Sequence, residues 1–318
     1  MTKELSTPAT GTISRPKRAV LTSLALGTVL AAIVALFGGT ARQAEAAFTE
    51  KIFFASNRVA GTGVNNPTGD MEIFRMNPDG TGLKQLTFNR GDDFEPTLSP
   101  DHTRIVYTTR GVQSSNPEAD YEVYVMNASD GTGKKNLTNN GAGVYDNYPR
   151  FSPGGKRVVY TSYGIQRSNP QGDSEVYLVS ALDGTGKKNL TNNGVEVSGA
   201  DPVDDYLPVF SPDGKRIAYE SFGIQPSNQE GDNEVYRVNA IDGSDQRNLT
   251  DNGKDVDDRR PKFSPDGTRV VYESEGIQPS NLQGDQEIYR MNTLDGTGKK
   301  NLTYNKTAYD GYYLPGQM

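Results

Sequence analysis

Apolar residues occur along this chain in short runs of about four to seven, separated by clusters rich in Gly, Pro, Asp and Asn. The runs 215–221 (KRIAYES) and 234–239 (EVYRVN) are typical, since aromatic and β-branched residues dominate them as they do in β-strands. Between the runs, the segments 211–214 (SPDG) and 241–244 (IDGS) place Pro and Gly where tight turns require them. The pattern predicts short antiparallel strands joined by turns.

The same pattern recurs at a nearly fixed interval. Its anchor is Phe or Leu followed by Ser-Pro, and the anchor serines Ser99, Ser152, Ser211 and Ser264 are 53, 59 and 53 residues apart. A period of this length is typical of a repeat architecture, in which each unit buries its apolar face only against its neighbours.

Each repeat contains four predicted strands, and counting them gives the number of repeats. The second strand is predicted at Ile52–Ser56, Arg104–Thr109, Arg157–Ser162, Arg216–Ser221 and Arg269–Ser274. The third begins at Glu72, Glu122, Glu175, Glu234 and Glu287, and the fourth ends at Thr87, Thr138, Thr191, Thr250 and Thr303. The first strand occurs four times in full, as at Leu207–Phe210, and a fifth, shortened copy is Tyr312–Pro315.

The sequence therefore predicts an all-β fold over residues 47–318: a five-bladed β-propeller with four-stranded antiparallel blades. The part of the chain beyond residue 46 begins at a second strand and ends at a first strand, so we expect the C-terminal copy to complete the first blade. This closure would leave no open sheet edge. A propeller with six blades is the alternative.

The units 210–219 (FSPDGKRIAY) and 234–243 (EVYRVNAIDG), followed by 248–250 (NLT), resemble the TolB-type, WD40-like propeller repeat. The resemblance extends over roughly residues 50–318 and occurs in every blade. It implies a propeller alone, without the α/β domain that precedes the propeller in TolB itself. It is specific for the fold and says little about function.

The first 46 residues differ from the rest. Basic residues such as Arg15 and Arg18 precede an apolar stretch, residues 19–37, and a small-residue site at 44–46 (AEA) follows. This order is typical of a secretory signal. We expect cleavage after Ala46, with an N-terminal membrane anchor at 19–37 as the alternative, and a secreted, periplasmic or cell-envelope location in either case.

Charge limits the classes of partner. Residues 1–46 contain five basic and two acidic residues, so 28 Lys and Arg against 38 Asp and Glu remain, a net charge of −10. Such a surface repels phosphate backbones, and nucleic acid is not an expected partner. The sequence contains no Cys, which rules out disulfides and thiolate sites. We expect a monomer that contacts a membrane only through an uncleaved N-terminal segment.

Enzyme motifs are weak. The single histidine, His102, lies in a tight turn where other repeats have Gly, a poor place for the oriented imidazole of a catalytic relay. No nucleophile elbow, phosphate loop or His-rich metal motif occurs in the sequence. The sequence therefore predicts a protein that is not an enzyme.

A second repeated pattern, Asn-x-x-Gly-Asp-x-Glu, lies in the long loop between the second and third strands. Its aspartates are Asp70, Asp120, Asp173, Asp232 and Asp285. Asn, Gly and Asp are residues with which a loop braces itself by hydrogen bonds to its own backbone. The alternative is that these oxygen ligands hold Ca²⁺, and no other cofactor is predicted.

Another set of aspartates lies three residues before the proline of each first strand: Asp93, Asp146, Asp205 and Asp258. First strands line the central channel of a propeller, so these residues predict a carboxylate ring that binds a cation or a basic ligand at the channel mouth. The structural alternative is that each aspartate accepts backbone hydrogen bonds where its strand begins.

Both sets are expected on one face. Strands alternate in direction, so the loops after the second and fourth strands emerge on one side, and the tight turns emerge on the other. We call the first side the long-loop face; it comprises the five loops with the Asn-x-x-Gly-Asp pattern and the connections between blades, including Gly141–Asn147 and Val195–Asp205.

Loops on a rigid scaffold commonly carry recognition. The sequence therefore predicts a non-catalytic scaffold that binds an envelope or extracellular protein, peptide or glycan through the long-loop face. One alternative is a glycosidase, lyase or lactonase that uses channel-mouth carboxylates. Another is a purely structural module.

Overall fold

A computed structural model describes residues 51–193 and 202–304, which form five antiparallel sheets. The first sheet contains β1 (Ile52–Ser56), β2 (Glu72–Met76) and β3 (Lys84–Gln85). The second contains β4 (Asp93–Leu98), β5 (Arg104–Thr109), β6 (Glu122–Asn127) and β7 (Lys135–Asn136). The third contains β8 (Tyr145–Phe151), β9 (Arg157–Tyr163), β10 (Ser174–Ser180) and β11 (Lys188–Asn189). The fourth contains β12 (Asp204–Phe210), β13 (Arg216–Phe222), β14 (Asn233–Asn239) and β15 (Arg247–Asn248). The fifth contains β16 (Asp257–Phe263), β17 (Arg269–Glu275), β18 (Glu287–Asn292) and β19 (Lys300–Asn301).

Within each sheet, strands that follow one another in the chain pair with one another, which is the predicted blade topology. The five sheets are the blades of a β-propeller, as the sequence indicates. The segment expected to complete the first blade, Tyr312–Pro315, lies outside the described residues, as do the N-terminal residues 1–46. Among residues 51–193 and 202–304, no helix is long and apolar enough to cross a membrane.

The fourth strands are shorter than the sequence predicts. In the fourth blade the expected five residues, 246–250, reduce to Arg247–Asn248. The reason is a side chain that replaces the backbone: the Val235 N–H donates to the Thr250 hydroxyl at 2.9 Å instead of to a carbonyl. The Thr250 N–H in turn donates to the Asn248 side chain at 3.0 Å.

The core lies between consecutive blades, because the second and third strands of the first four sheets pack against the sheet that follows in the chain. Every four-stranded blade contains a cross-strand tyrosine pair: Tyr107–Tyr124, Tyr160–Tyr177, Tyr219–Tyr236 and Tyr272–Tyr289, with ring centroids 5.7 to 6.1 Å apart. Aliphatic residues such as Val158 and Ile217, both fully buried, fill the space around them. Apolar burial between repeats is therefore the main source of stability.

The first strands carry a bulge at a fixed position. In each four-stranded blade the register shifts around the inner proline, as between Tyr206 and Val209. The residue before that proline has a positive φ in four blades: Glu95, Tyr148, Leu207 and Arg260, at 52° to 58°. A bulge of this kind bends the strand and changes which side chains face the channel.

Candidate binding face

The long loops between the second and third strands are braced by hydrogen bonds within each loop. In each loop an Asn side chain donates to the main-chain carbonyl of the Asp four residues later, at 2.5 to 2.8 Å; these residues are Asn66, Asn116, Asn169, Asn228 and Asn281. In the four loops that contain the intervening glycine, the Asn oxygen accepts the glycine N–H, as at Gly172 (3.1 Å, φ +81°). The loop also bonds to the sheet, since Ser168 and Tyr177 share a hydroxyl hydrogen bond of 2.9 Å. The predicted self-bracing of these loops is confirmed.

Each long loop presents one exposed aliphatic side chain. The residue lies three positions after the last Ser or Thr of the second strand in all five blades: Val59, Val112, Ile165, Ile224 and Ile277. The exposed fractions of Ile165 and Ile277 are 76% and 73%. We call this set the aliphatic ring. Sequence reasoning missed it, and the signal was a single aliphatic residue at a fixed position of an otherwise polar loop.

Aromatic side chains extend the apolar surface at the second and third blades. Phe94, Tyr121, Tyr145 and Tyr163 form a chain of ring contacts with centroids 6.1 to 6.2 Å apart. Tyr163 is half exposed, and the Arg110 guanidinium lies 6.0 Å from the Tyr121 ring. Tyr145 and Tyr163 are the exposed members of this chain, and exposed aromatic surface beside further apolar side chains typically marks an interaction site.

The loop aspartates do not all lie in one environment. Asp120 and Asp173 are buried, and neither carboxylate oxygen of either residue has a hydrogen-bond partner. Asp232 accepts the Val256 N–H with one oxygen, and Asp70 accepts the Thr68 hydroxyl. Burial raises the pKa of Asp120, Asp173 and Asp232. For Asp285, one carboxylate oxygen is buried without a partner.

The predicted carboxylate ring is buried at the boundaries between blades. Asp93, Asp146, Asp205 and Asp258 have no exposed surface. Each accepts a hydrogen bond from an Asn in the preceding connection, as Asp205 does from Asn193 at 2.9 Å. The backbone N–H of Asp146 also donates to the Tyr121 carbonyl of the blade before it, at 2.7 Å. The carboxylates thus accept hydrogen bonds from Asn side chains instead of the backbone hydrogen bonds that the structural alternative expects, and ligand binding by these four residues stays a prediction.

A glutamate of the preceding blade accompanies each of these aspartates, giving the pairs Glu72–Asp93, Glu122–Asp146, Glu175–Asp205 and Glu234–Asp258. Burial, and then the charge of Asp146, raise the pKa of Glu122 to about 7; the same two causes, with Asp258 as the neighbour, raise the pKa of Glu234 to about 8. Each Glu also accepts a buried Thr hydroxyl of its own blade, as Glu234 does from Thr250. These pairs are structural groups of the blade boundary.

Side chains from the first strands of different blades meet in the interior. Glu95 accepts the Tyr148 N–H of the next blade at 2.7 Å, and Arg150 donates to the Thr97 hydroxyl at 3.0 Å. Burial and the nearby charge of Arg150 lower the pKa of Lys262 to about 8. The blades therefore differ from one another at these positions, which the repeat pattern does not reveal.

Comparison with known proteins agrees with the repeat type. A stretch of 148 residues, 46% of this chain, is 32% identical to a TolB homolog from Chlorobaculum tepidum and covers 28% of it. A TolB homolog from Chlorobium luteolum is 31% identical over 169 residues, which are 53% of this chain and 32% of the homolog. The chain thus spans less than a third of the length of these curated relatives. No protein-family model matches the chain.

Solved structures show the same fold. TolB from Acinetobacter baumannii superposes with a TM-score of 0.54 at 22% identity, over 86% of this chain and 56% of that one. A puromycin hydrolase superposes with a TM-score of 0.51 at 14% identity, over 81% of this chain and 38% of that one. The fold itself therefore does not decide between a binding protein and part of an enzyme.

Proposed function

We propose that this chain, a propeller of TolB-type repeats, is a secreted or envelope-associated, non-catalytic scaffold that binds a protein through its long-loop face. One observation carries the proposal: an aliphatic side chain is exposed at the same loop position in all five blades. Exposure of apolar surface in water is unfavourable. Five equivalent instances on one face, beside an aromatic cluster, are better explained by a partner than by chance.

The charge of this face indicates the chemistry of the partner. Glu118 and Glu230 lie exposed in the same loops as Val112 and Ile224. The chain beyond residue 46 carries a net charge of −10. Arg110 and Arg167 are exposed in the long loops as well, so the loops carry both signs of charge within an acidic chain. We therefore expect a protein that places apolar side chains against the aliphatic ring and charged side chains around it, because complementary charge steers association and selects partners.

The opposite face offers a matched control. Leu182, Ile241 and Leu294 are also exposed aliphatic residues, but they lie in the tight turns between the third and fourth strands. Those turns emerge on the side away from the long loops. A triple substitution to Ser on either face removes a similar amount of exposed apolar surface and should change the melting temperature little, since exposed positions contribute little to stability.

The experiment compares three immobilised proteins: wild type, the ring variant Ile165→Ser, Ile224→Ser and Ile277→Ser, and the control variant Leu182→Ser, Ile241→Ser and Leu294→Ser. Each is incubated with an envelope extract of the source cells, and retained proteins are quantified by mass spectrometry. We expect a protein retained by wild type and control but reduced at least about tenfold by the ring variant, which corresponds to 1.4 kcal/mol of binding free energy. Equal retention by both variants would place the binding surface elsewhere.

The alternative function, a propeller enzyme, is favoured by one observation. Burial raises the pKa of Glu95 and Glu220, two carboxyl groups of the interior, and raised pKa values are typical of general acids. Both groups, however, accept backbone N–H groups of a neighbouring blade, Glu220 from Arg260 at 3.2 Å. A chromogenic glycoside screen distinguishes the functions, because turnover abolished by Glu220→Gln in a folded protein would support the enzyme.

A further inference from the structure

Two carboxylates meet on the long-loop face at the boundary between the third and fourth blades. Asp173 ends the loop before β10, and Asp204 is the first residue of β12. The Asp204 carboxylate accepts the N–H of Ser174 at 2.8 Å, which places it next to Asp173. Only 2% of Asp173 is exposed, and neither of its carboxylate oxygens has a hydrogen-bond partner.

A buried carboxylate without a partner is costly, and a second carboxylate beside it adds repulsion. Burial raises the pKa of Asp173, and the charge of Asp204 raises it further. Two remedies exist for such a pair. Either a proton neutralises one carboxyl group, or a cation lies between the two.

At two equivalent boundaries a cationic side chain pairs with the corresponding aspartate. Between the first and second blades, Asp92 forms an ion pair with Arg110. Between the fourth and fifth blades, Asp257 pairs with Arg259 at 2.9 Å. Between the third and fourth blades, Phe222 takes the position of Arg110, and Tyr206 takes the position of Arg259. Among residues 51–193 and 202–304, neither Asp173 nor Asp204 has a basic ion-pair partner.

We infer that a Ca²⁺ ion binds at this boundary and that Asp173 and Asp204 supply its carboxylate ligands. The donor set is oxygen only, which suits a hard cation. In the described part of the chain no third Asp, Glu or His side chain joins the pair to form a metal cluster. Main-chain carbonyl oxygens and water would complete the shell, a mixture that Ca²⁺ accepts more readily than Mg²⁺ does.

Few charged ligands imply modest affinity, in the range of about 0.1 to 1 mM that is typical of extracellular Ca²⁺ modules. The full chain is therefore melted at pH 7.5 in 10 mM CaCl₂, in 10 mM MgCl₂ and in EDTA at matched ionic strength. We expect Ca²⁺ to raise the melting temperature by about 4 °C over EDTA, with a clearly smaller shift in Mg²⁺. Calorimetric titration with CaCl₂ should show one site.

Asp204→Asn should abolish the Ca²⁺ shift and the binding heat. Asp120→Asn is the matched control. Asp120 is the equivalent residue of the second blade and is also buried and unpartnered, but the neighbouring strand β8 begins with Tyr145 where β12 begins with Asp204. That variant should keep the full Ca²⁺ response. If Asp204→Asn does not fold, Phe222→Arg takes its place, because it restores the arginine of the second blade and should remove the response in a folded protein.

Three results would overturn the inference: equal melting temperatures in CaCl₂ and EDTA, equal shifts in Ca²⁺ and Mg²⁺, or a response that survives both Asp204→Asn and Phe222→Arg. The first would show that a proton neutralises the pair, and the second that divalent ions merely screen an acidic surface.

Discussion

Raising the pH from 5 to 9 should destabilise the propeller by several kcal/mol. The cause is the buried Glu–Asp pair at each of four blade boundaries. Burial raises the pKa of both members of a pair, to about 7 for Glu122 and about 6 for Asp146, and to about 8 for Glu234 and about 7 for Asp258. In the unfolded chain the same groups titrate near pH 4.

The sign follows from the protons bound. Between pH 4 and the raised folded-state pKa values, the folded protein binds more protons than the unfolded one, so its stability falls as the pH rises. One pKa unit corresponds to 1.4 kcal/mol, so a raise of a single unit at each of four boundaries amounts to about 5 kcal/mol. Below pH 4 the slope reverses, because hydrogen bonds from Ser99 and Thr103 lower the pKa of the turn residue Asp101 to about 2.

Urea unfolding at pH 5, 7 and 9 measures the effect. Two variants test its origin by exchanging Lys and Gln at one equivalent position of the third and fourth blades. Lys187 of the third blade lies near Asp146 and lowers the pKa of that carboxyl group. The equivalent residue of the fourth blade is Gln246, whose amide donates to the hydroxyl of Tyr219, a neighbour of Asp205. Gln246→Lys should reduce the loss of stability between pH 5 and 9. Lys187→Gln should increase it.

The prediction fails if the free energy of unfolding is constant or rises between pH 5 and 9. A milder failure is also informative. If both variants show the wild-type dependence, the pairs are not the groups that titrate, and the pH effect must come from other buried carboxyl groups such as Glu95.

The blade pattern was predictable because local chemistry repeats it. In three of the four Ser-Pro turns the Ser hydroxyl donates to the Asp side chain of the same turn, as Ser211 does to Asp213 at 2.6 Å, and both side chains bond to the start of the following strand. The long loops were predictable for the same reason, since Asn169 bonds within four residues of itself. Where the partners of a residue are close in sequence, the sequence reveals the structure.

The position of the first-strand aspartates was harder to predict, because it depends on register. A single bulge separates the paired residues Asp205–Ser221 from the paired residues Val209–Ala218. A shift of one residue moves every side chain to the other face of a strand. The sequence indicates that Asp205 lies at the start of an inner strand, but it does not indicate whether the carboxyl group faces the channel or the next blade.

The aliphatic ring was missed for a different reason. Val112 and Ile165 are single apolar residues within polar loops, and isolated exposed aliphatic residues are common on protein surfaces. Their meaning comes from the fold, which gathers five equivalent positions onto one face.

The spacing between blades leads to the second large prediction. In the second to fifth blades, the turn between the third and fourth strands carries a glycine that lies against the backbone of the preceding blade. At Gly243, which has a φ of +74°, an added Cβ would lie 2.0 Å from the Leu190 carbonyl oxygen. The same contact recurs at Gly131, Gly184 and Gly296, at 2.0 to 2.4 Å. Because the obstacle is backbone, it cannot rotate away.

Gly243→Ala should therefore separate the third and fourth blades and cost more than about 4 kcal/mol, well above the ordinary effect of a substitution. Gly80→Ala is the matched control. Gly80 lies in the corresponding turn of the first blade, which is one residue shorter, with a φ of +84°, but no described atom lies within 4 Å of the position that an added Cβ would occupy. Its cost should be only the left-handed backbone strain of alanine, about 1 to 2 kcal/mol.

Urea unfolding of both variants at pH 6 decides the matter. If Gly243→Ala and Gly80→Ala lose equal stability, strain at a positive φ explains both, and close approach of the blades contributes nothing. If only Gly243→Ala is strongly destabilised, the glycine sets the distance between the blades. That distance also determines whether the Glu175–Asp205 pair stays dry, so Gly243→Ala should additionally weaken the dependence of stability on pH, as water reaches the boundary and the pKa values return toward their ordinary range.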